Sequence, residues 1–245
     1  MPVYQAERVD EDYFMEQDAD LAILDGLWLG SSTRIEASPV ISWRYQYLKR
    51  AFDFSLAVVM LVIIAVPAIL IACAIFLTSK GSIFYYEERI GRFGRPFRIW
   101  KFRSMRPRSV RRAGVVQNRP VEKVLAWRMR KKDSDPRITV VGGFLRRWSL
   151  DELPQIYNIL RGDMSLIGPR PIVESETVLY GKWLPYYLEV VPGLSGLWQV
   201  SGRSLVGYEE RAKLDASYVQ SWSLMADLKI LVRTIPTVLR RVGAY

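Results

Sequence analysis

Histidine is absent from this 245-residue sequence, and cysteine occurs once, as Cys73. Without histidine, the chain lacks the commonest general base and the commonest protein metal ligand. One cysteine excludes disulfides within the chain and zinc sites built from cysteine and histidine. A metal must therefore be a hard cation held by oxygen atoms, such as Mg²⁺ or Mn²⁺. A nucleophile must be a carboxylate, a hydroxyl or a lysine.

Charge is divided unevenly along the chain, although the total is only +10. Residues 1–40 hold nine acids and two bases, a net charge of −7, which leaves +17 for residues 41–245. The acidic segment has no basic stretch followed by an apolar core, so it is not a secretory signal, and we predict an N-terminal tail. The basic body predicts an anionic partner: nucleic acid, acidic phospholipid or a phosphorylated substrate. Charge alone does not choose among them.

A long apolar run follows, because residues 54–79 contain no charged side chain. Twenty-six such residues can cross a bilayer as a helix. Pro67 lies near the middle and predicts a kink. Basic residues flank both ends, Lys49 and Arg50 among them, so the positive-inside rule selects no orientation. We predict a membrane-embedded segment over residues 41–80, either a straight span or a re-entrant helix that bends at Pro67.

Short extended segments joined by turns are predicted after the apolar run. Aromatic and β-branched residues alternate with charge there, and glycine and proline punctuate the pattern. A basic residue recurs at every third position, which is typical of a belt that faces lipid headgroups; these are Arg89, Arg92, Arg95, Arg98 and Lys101. Residues 106–134 predict a loop with a short helix around 121–129. Residues 208–242 predict an amphipathic helical surface able to lie on a membrane, kinked at Pro236.

Two adjacent acids, Asp151 and Glu152, stand in the segment RRWSLDELPQ, residues 146–155. Ser149 and Glu152 match the capping box, in which the serine caps a helix and the glutamate reaches back. Acids in a first turn also suit the helix dipole. The apolar spacing predicts a helix that begins at Ser149. The residues by themselves leave capping and chemistry as alternatives for the two acids.

Several motifs together resemble one family. They are KRAFD before the apolar run, ERIGRFGRPFRIWKFRSM, DPRITVVGGFLRRWSLDELPQIYNILRGDMSLIGPRP, VPGLSGLWQVSGR and LDASYV. The sequence is similar to the bacterial sugar transferases, the small monotopic phosphoglycosyl transferases also called polyprenyl-phosphate hexose-1-phosphate transferases, and especially to those that initiate exopolysaccharides. The resemblance covers residues 44–245, and the long central motif is its most specific part.

The resemblance implies an enzyme that transfers hexose-1-phosphate from a UDP-sugar to undecaprenyl phosphate and releases UMP, the first membrane step of exopolysaccharide synthesis. UDP-glucose and UDP-galactose are the expected donors. It implies that Asp151 is the nucleophile, forming a covalent phosphosugar intermediate, and that Glu152 helps to hold Mg²⁺, with Mn²⁺ as an alternative. It also implies that the apolar segment is re-entrant, so residues 81–245 form a catalytic domain on the cytoplasmic face of the bacterial inner membrane.

The expected fold class is α/β and membrane-associated, with a compact mixed catalytic domain and amphipathic interfacial helices. Besides the two substrates, inner-leaflet phospholipids are expected partners and nucleic acid is not; a homodimer is left open. The competing hypothesis is a non-enzymatic basic adaptor that binds anionic lipid or nucleic acid. The adaptor predicts salt-sensitive binding without UMP release or a divalent-cation requirement.

Cationic donors are needed where a carboxylate attacks a phosphoryl group, because two anions must approach each other. The basic residues in matching motifs are Lys101, Arg146 and Arg170, which we predict to bind phosphate. The resemblance places the nucleotide near Gly193, Gly196, Gln199, Arg203 and Asp215. Asp215 could bind nucleotide or metal, or could orient Arg203 or Arg211 through a salt bridge. Trp148 and Trp198 are interpreted as packing or interfacial residues.

Overall fold

The computed structural model describes residues 39–106, 135–201 and 207–239. The predictions for the acidic tail, for the short helix at 121–129 and for Arg203 fall almost wholly outside these residues. Within them, helices and short strands mix, which agrees with the predicted α/β class.

A single long helix dominates the N-terminal part of the described chain. A π-helical turn, Arg44–Lys49, leads directly into α1, Arg50–Thr78. Most large apolar side chains of α1 are exposed, such as Val62 at 72% and Leu77 at 80%. Among the described residues, this is the one helix long and apolar enough to cross a membrane. The helix runs through Pro67 without interruption, so a bend there stays a prediction.

A β-hairpin follows the long helix. Strand β1, Phe84–Ile90, pairs in antiparallel fashion with β2, Pro96–Phe102, and a 3₁₀ turn at Arg92–Gly94 joins them. Phe84 lies opposite Phe102 and Ile90 opposite Pro96. This confirms the extended segments and the turn that the alternating pattern predicts.

The segment with the two acids is a sequence of short elements. Helix α2, Val140–Arg147, precedes a 3₁₀ turn at Leu150–Glu152, and α3 then spans Gln155–Arg161. Asn158 is completely buried in α3; its side chain donates to the Arg98 carbonyl at 2.7 Å and accepts from the Trp100 backbone N–H at 3.1 Å. The amide thus ties α3 to strand β2.

A second, parallel pair of strands completes the fold: β3, Ser165–Ile167, with β4, Gly193–Ser195. The remaining helices are α4, Thr177–Tyr180; α5, Leu184–Leu188; α6, Leu197–Val200; α7, Tyr208–Gln220; and α8, Leu224–Leu239. The helical region predicted over 208–242 is therefore two helices, with a break at residues 221–223. Pro236 lies inside α8 without ending it.

The amphipathic surface predicted for the C-terminal region is only partly present. Trp222 and Ile230 are buried in the core, whereas Met225, Val232 and Ile235 are exposed. The exposed set lies on α8 and forms an apolar strip on its outer face. The two buried residues instead serve packing, because Trp222 meets the ring of Tyr45 edge-on with centroids 5.0 Å apart.

Both ends of α1 are attached to the same compact unit. At the N-terminal end, the Arg50 guanidinium donates to the carbonyls of Ile159 and Leu160, the latter at 2.6 Å. At the C-terminal end, Arg103 donates to the carbonyls of Ser79 at 2.7 Å and Lys80 at 3.0 Å. The helix therefore lies against the remainder of the fold along its length, as its buried residues in both core clusters also show.

Lys49 has a different role from the one the sequence suggests. As a base flanking the apolar run, it is expected at the membrane surface, but it is only 3% exposed. Its ammonium donates to Asp227 at 2.8 Å and lies 3.7 Å from Asp53. Asp53 in turn accepts from the Ser165 hydroxyl at 2.7 Å. The lysine is unavailable to headgroups and joins the base of α1 to β3 and α8.

Candidate active site

The turn that carries the two acids is not the capped helix that the sequence predicts. Ser149 adopts a left-handed conformation, φ 55°, and its side chain makes no capping hydrogen bond. Asp151 and Glu152 lie in the 3₁₀ turn that follows, and the α-helix begins only at Gln155, with Pro154 at its N-cap position. The capping-box prediction is wrong because the backbone reverses between Arg147 and Leu150 and turns Ser149 away from a capping geometry.

Substitutions at Ser149 distinguish a serine that caps a helix from a serine held in a left-handed turn. Because its hydroxyl caps nothing, Ser149→Ala is expected to change the free energy of unfolding by less than about 0.5 kcal/mol, whereas loss of a true cap costs about 1 kcal/mol. Ser149→Val is expected to cost about 2 kcal/mol, since a β-branched residue tolerates positive φ poorly. Chemical denaturation in detergent measures both variants. A loss with alanine as large as that with valine would contradict the left-handed turn.

Glu152 is paired with Lys101. The Lys101 ammonium donates to its carboxylate at 2.7 Å, and both side chains are partly exposed. Burial acts to raise the pKa of Glu152, but the charge and hydrogen bond of Lys101 outweigh it, and Arg170 and Arg89 add to the lowering. Glu152 is therefore the member of the pair that holds its negative charge more firmly.

The pKa of Asp151 is shifted in the opposite direction, upward. Burial and then the neighbouring charge of Glu152 raise the pKa of Asp151, while Lys101 and Arg146 lower it. Arg146 is itself held by a hydrogen bond from its Nε to the Ser104 hydroxyl at 3.1 Å. Two adjacent acids of unequal pKa, surrounded by cations, result from this arrangement.

A cleft with about 420 Å³ of empty volume, partly open to solvent, is lined by Glu152 but not by Asp151. Five predicted site residues line it: Lys101, Glu152, Arg170, Gly193 and Gln199. They come from β2, the 3₁₀ turn, the segment after β3, and the β4–α6 region, so the fold brings together motifs that are far apart in sequence. Gln155, Ile99 and Leu194 also line the cleft.

Among the described residues, four other predicted site residues do not line this cleft: Asp151, Arg146, Gly196 and Asp215. Arg146 acts on Asp151 from the side of α2. The Gly196 backbone packs against that of Gly168, since an added Cβ would lie 2.2 Å from the Gly168 oxygen. Gly193 meets the same segment, with 2.1 Å to the Gly168 nitrogen. At both positions a contact between two backbone segments leaves no room for a side chain, so glycine is required whether or not a ligand binds.

Arg89 is a cleft residue that the sequence analysis assigned to the headgroup belt. That interpretation is wrong for Arg89, which is only 7% exposed and lines the cleft. Its guanidinium donates to the Pro171 carbonyl at 3.1 Å and pairs with Glu87. The recurrence of a basic residue at every third position does not reveal that Arg89 is buried, because residues three positions apart in a strand point to opposite faces.

Asp215 lies behind the cleft and not within it. It is 2% exposed and accepts from the Tyr180 hydroxyl at 2.9 Å. Burial raises the pKa of Asp215 to about 7, against the charge of Arg211, the Tyr180 hydroxyl and the backbone of Arg170. Of the two roles considered for Asp215, this position supports the orienting one, and the coupling to Arg211 passes through Tyr180.

The Trp198 indole contacts two guanidinium groups, and one of them belongs to the cleft residue Arg170. The guanidinium carbon of Arg211 lies 4.9 Å from the indole centroid and that of Arg170 lies 5.7 Å away. The indole is buried, so it acts in packing, as predicted. Stacking on one aromatic ring lets two like charges approach in a fixed orientation.

The acids fit a divalent cation only if a ligand completes its coordination. No group of three metal-binding side chains occurs within residues 39–106, 135–201 and 207–239. Mg²⁺ commonly binds one or two carboxylates together with substrate phosphates and water. Glu152 supplies one such carboxylate at the cleft, and the basic residues that line the cleft suit the phosphates.

The structure thus combines a cleft lined by basic residues and Glu152 with a long apolar helix that could cross a membrane by its length and composition. The profile of the bacterial sugar transferase family matches residues 44–241. The chain belongs to that family.

Curated relatives share most of the matched region. The chain is 45% identical over 198 residues to the exopolysaccharide production protein ExoY of Sinorhizobium fredii, covering 80% of this chain and 88% of that protein. It is 44% identical over 201 residues to the undecaprenyl-phosphate galactose phosphotransferase of Salmonella typhimurium, covering 82% and 42%. Identity to the UDP-glucose:undecaprenyl-phosphate glucose-1-phosphate transferase of Escherichia coli is 38% over 196 residues, covering 77% and 39%.

Proposed function

We propose that this protein transfers hexose-1-phosphate from a UDP-sugar to undecaprenyl phosphate and so initiates an exopolysaccharide. The observation that carries the proposal is the cleft, in which Lys101, Arg89 and Arg170 lie together with Glu152, the neighbour of Asp151 in the 3₁₀ turn. Relatives named as undecaprenyl-phosphate galactose and glucose-1-phosphate transferases support this substrate class. Both sugars are candidate donors, and UDP-glucose and UDP-galactose are to be compared directly.

In the proposed reaction, a carboxylate oxygen of Asp151 attacks the β-phosphorus of the UDP-sugar. The bond between that phosphorus and the bridging oxygen breaks, and UMP leaves with the electron pair. A phosphate oxygen of undecaprenyl phosphate then attacks the phosphorus on Asp151, which regenerates the free carboxylate. Burial and the charge of Glu152 raise the pKa of Asp151, and Lys101 and Arg146 oppose this rise and so favour the charged form. Arg170 and Arg89 lie where phosphate oxygens can be stabilised.

Glu152 is proposed to help hold Mg²⁺, or Mn²⁺ in its place, and the metal would neutralise phosphate charge when bound. Lys101 already compensates part of the charge of Glu152. The chain's own cations then hold the equatorial oxygens, so the metal shares this work with Arg89 and Arg170.

We also propose that α1 is re-entrant and that residues 81–245 lie on the cytoplasmic face of a bacterial inner membrane. Support comes from Arg50 and Arg103, whose hydrogen bonds attach opposite ends of the helix to one compact unit. A straight span would place those two ends on opposite sides of a bilayer about 30 Å thick. The missing N–H of Pro67 weakens the helix where a bend is needed.

The central test is UMP release by the full-length protein in detergent or membranes, with undecaprenyl phosphate, Mg²⁺ and either UDP-glucose or UDP-galactose. Release that requires both the metal and a UDP-sugar is the expected result. A second measurement omits the lipid and follows label from the sugar phosphate onto the protein. Binding to anionic lipid or nucleic acid without UMP release would instead favour the non-enzymatic adaptor.

Lys101→Met is expected to lower kcat/KM at least about tenfold at pH 7, since a charge-assisted contact at the reacting phosphate is lost. Lys101 lowers the pKa of both Glu152 and Asp151, so both values should rise in the variant. Carboxylates that act in the charged form lose activity as the pH falls through their pKa, so the acidic limb of the profile moves to higher pH. Lys213→Met, at an exposed lysine of α7, is the matched control, and an unshifted limb in Lys101→Met would contradict the assignment.

A further inference from the structure

A second cleft, with about 460 Å³ of empty volume, lies at the base of α1. It shares no lining residue with the cleft beside Glu152 and lies near Gly162, at the other end of α3. Tyr45, Lys49, Arg50, Asp53, Arg92 and Val191 are among its lining residues. Nothing in the proposed reaction uses this cleft.

Tyr45 presents a buried polar group to this cleft. The residue is 4% exposed, and its hydroxyl has no hydrogen-bond partner within the described part of the chain. Burial raises the pKa of Tyr45, opposed by the charge of Arg92 and by the nearby Val191 backbone, so the hydroxyl stays protonated and can donate. A shielded hydroxyl without a partner is typical of a place that a water molecule or a ligand atom occupies.

The charges in the second cleft leave two guanidinium groups for a ligand. Lys49 is neutralised by Asp227 and Asp53. Asp53 is the one acid among the described lining residues, and it accepts from the Ser165 hydroxyl at 2.7 Å and the Leu166 backbone at 3.3 Å. Its carboxylate is thus engaged with protein donors, and Arg50 and Arg92 remain.

Both arginines are held in place by the fold. Arg50 donates to the carbonyls at the end of α3. Arg92 donates from Nε to the Glu189 carbonyl at 2.8 Å, and its guanidinium lies 4.6 Å from the centroid of Phe93. A guanidinium has five N–H donors, so each keeps donors beyond those contacts. Fixed planar donors of this kind suit the oxygen atoms of a phosphate.

The position of the cleft indicates where such a phosphate would come from. The π-helical turn that forms one wall also exposes Tyr47, and Trp43 just before it is exposed as well. Aromatic residues of this kind are enriched at the membrane–water interface. If α1 is embedded as proposed above, the cleft opens at the level of the lipid headgroups.

We infer that this second cleft binds the phosphate headgroup of an anionic membrane phospholipid between Arg92, Arg50 and the Tyr45 hydroxyl. The inference rests on the proposed membrane embedding of α1 but not on the transferase reaction. It assigns the cleft a role in anchoring, in which a lipid phosphate joins the base of the helix to the hairpin turn.

The test uses the full-length protein in a neutral detergent and follows its thermal unfolding midpoint by tryptophan fluorescence. Dihexanoyl-phosphatidylglycerol is titrated, with dihexanoyl-phosphatidylcholine and inorganic phosphate compared at equal ionic strength. A saturable rise with phosphatidylglycerol alone is expected. Arg92→Gln should weaken this binding about tenfold, whereas Arg95→Gln, an equal charge change at an exposed residue of the same hairpin, should leave it within about twofold.

Arg92→Lys covers the case in which the glutamine variant fails to fold, and it should bind about threefold more weakly because it keeps the charge but loses the planar donors. Equal losses in the Arg92→Gln and Arg95→Gln variants would overturn the inference in favour of diffuse surface charge. Saturation by inorganic phosphate as readily as by the lipid would overturn the lipid assignment. Because the assay contains no UDP-sugar, its failure is distinguishable from a failure of UMP release.

Discussion

Replacing Asp151 by asparagine is expected to lower the rate of hexose-1-phosphate transfer by about a thousandfold or more, since the nucleophile of a covalent mechanism is lost. The substitution keeps the size of the side chain and removes one charge from a turn in which Glu152 raises the pKa of Asp151. Binding of the UDP-sugar should survive, because Lys101 and Arg170 are unchanged and a repulsive charge is gone. Single-turnover UMP release and binding of labelled UDP-sugar measure the two quantities separately.

The matched control is Asp163→Asn, the same change at a partly buried acid that lies 3.3 Å from Arg161 and outside the cleft. It should retain turnover within a few-fold of the wild type. In the wild type, sugar-phosphate label should appear on Asp151 when the lipid acceptor is omitted. Label that persists in the Asp151→Asn variant, or near-normal UMP release, would exclude Asp151 as the carrier.

Replacing Asp227 by alanine should destabilise the protein by about 3–5 kcal/mol, because the buried Lys49 loses its closer partner and keeps only Asp53, 3.7 Å away. Asp227 is fully buried and accepts from Lys49 at 2.8 Å, the Tyr218 hydroxyl at 2.7 Å and the Trp222 indole at 3.0 Å. All three donors lose their acceptor at once. Denaturant unfolding in detergent gives the change in free energy.

Two further variants test whether the loss of stability in Asp227→Ala comes from the buried lysine. Glu210→Ala removes an exposed acid of α7 and should change stability by less than about 0.5 kcal/mol. The double variant with Lys49→Met and Asp227→Leu should recover part of the loss, since the buried lysine charge is then gone and Asp53 keeps its hydrogen bonds from Ser165 and Leu166. A single Asp227→Ala variant as stable as Glu210→Ala would show that Lys49 reaches water, contrary to the buried network.

Sequence patterns predict the parts of the fold that depend on local periodicity. The uncharged run at 54–79 predicts α1, and the alternation after it predicts the β-hairpin. The motifs also identify Lys101, Glu152 and Arg170, which the fold brings into one cleft. These residues could be found because each belongs to a motif whose chemistry requires charge beside a phosphate.

Features that depend on tertiary contacts could not be predicted in the same way. The left-handed Ser149 carries a capping sequence, so local reasoning assigns it a helix that the backbone does not form. Arg89 and Lys49 appear as surface bases, yet the first lines the cleft and the second is paired with Asp227, which is 178 positions away. Single-sequence patterns contain no signal for a partner at that separation.

Helix α3 connects the acidic turn with the base of α1. Its first residues follow the acidic turn, and its last carbonyls are held by Arg50, the first residue of α1. Seven helical residues extend about 10 Å, so one short helix sets the distance between the acidic turn and the base of α1. If Asp151 is the nucleophile and α1 the membrane anchor, as proposed, the spacing between them is a property of the polypeptide and not of the surrounding lipid.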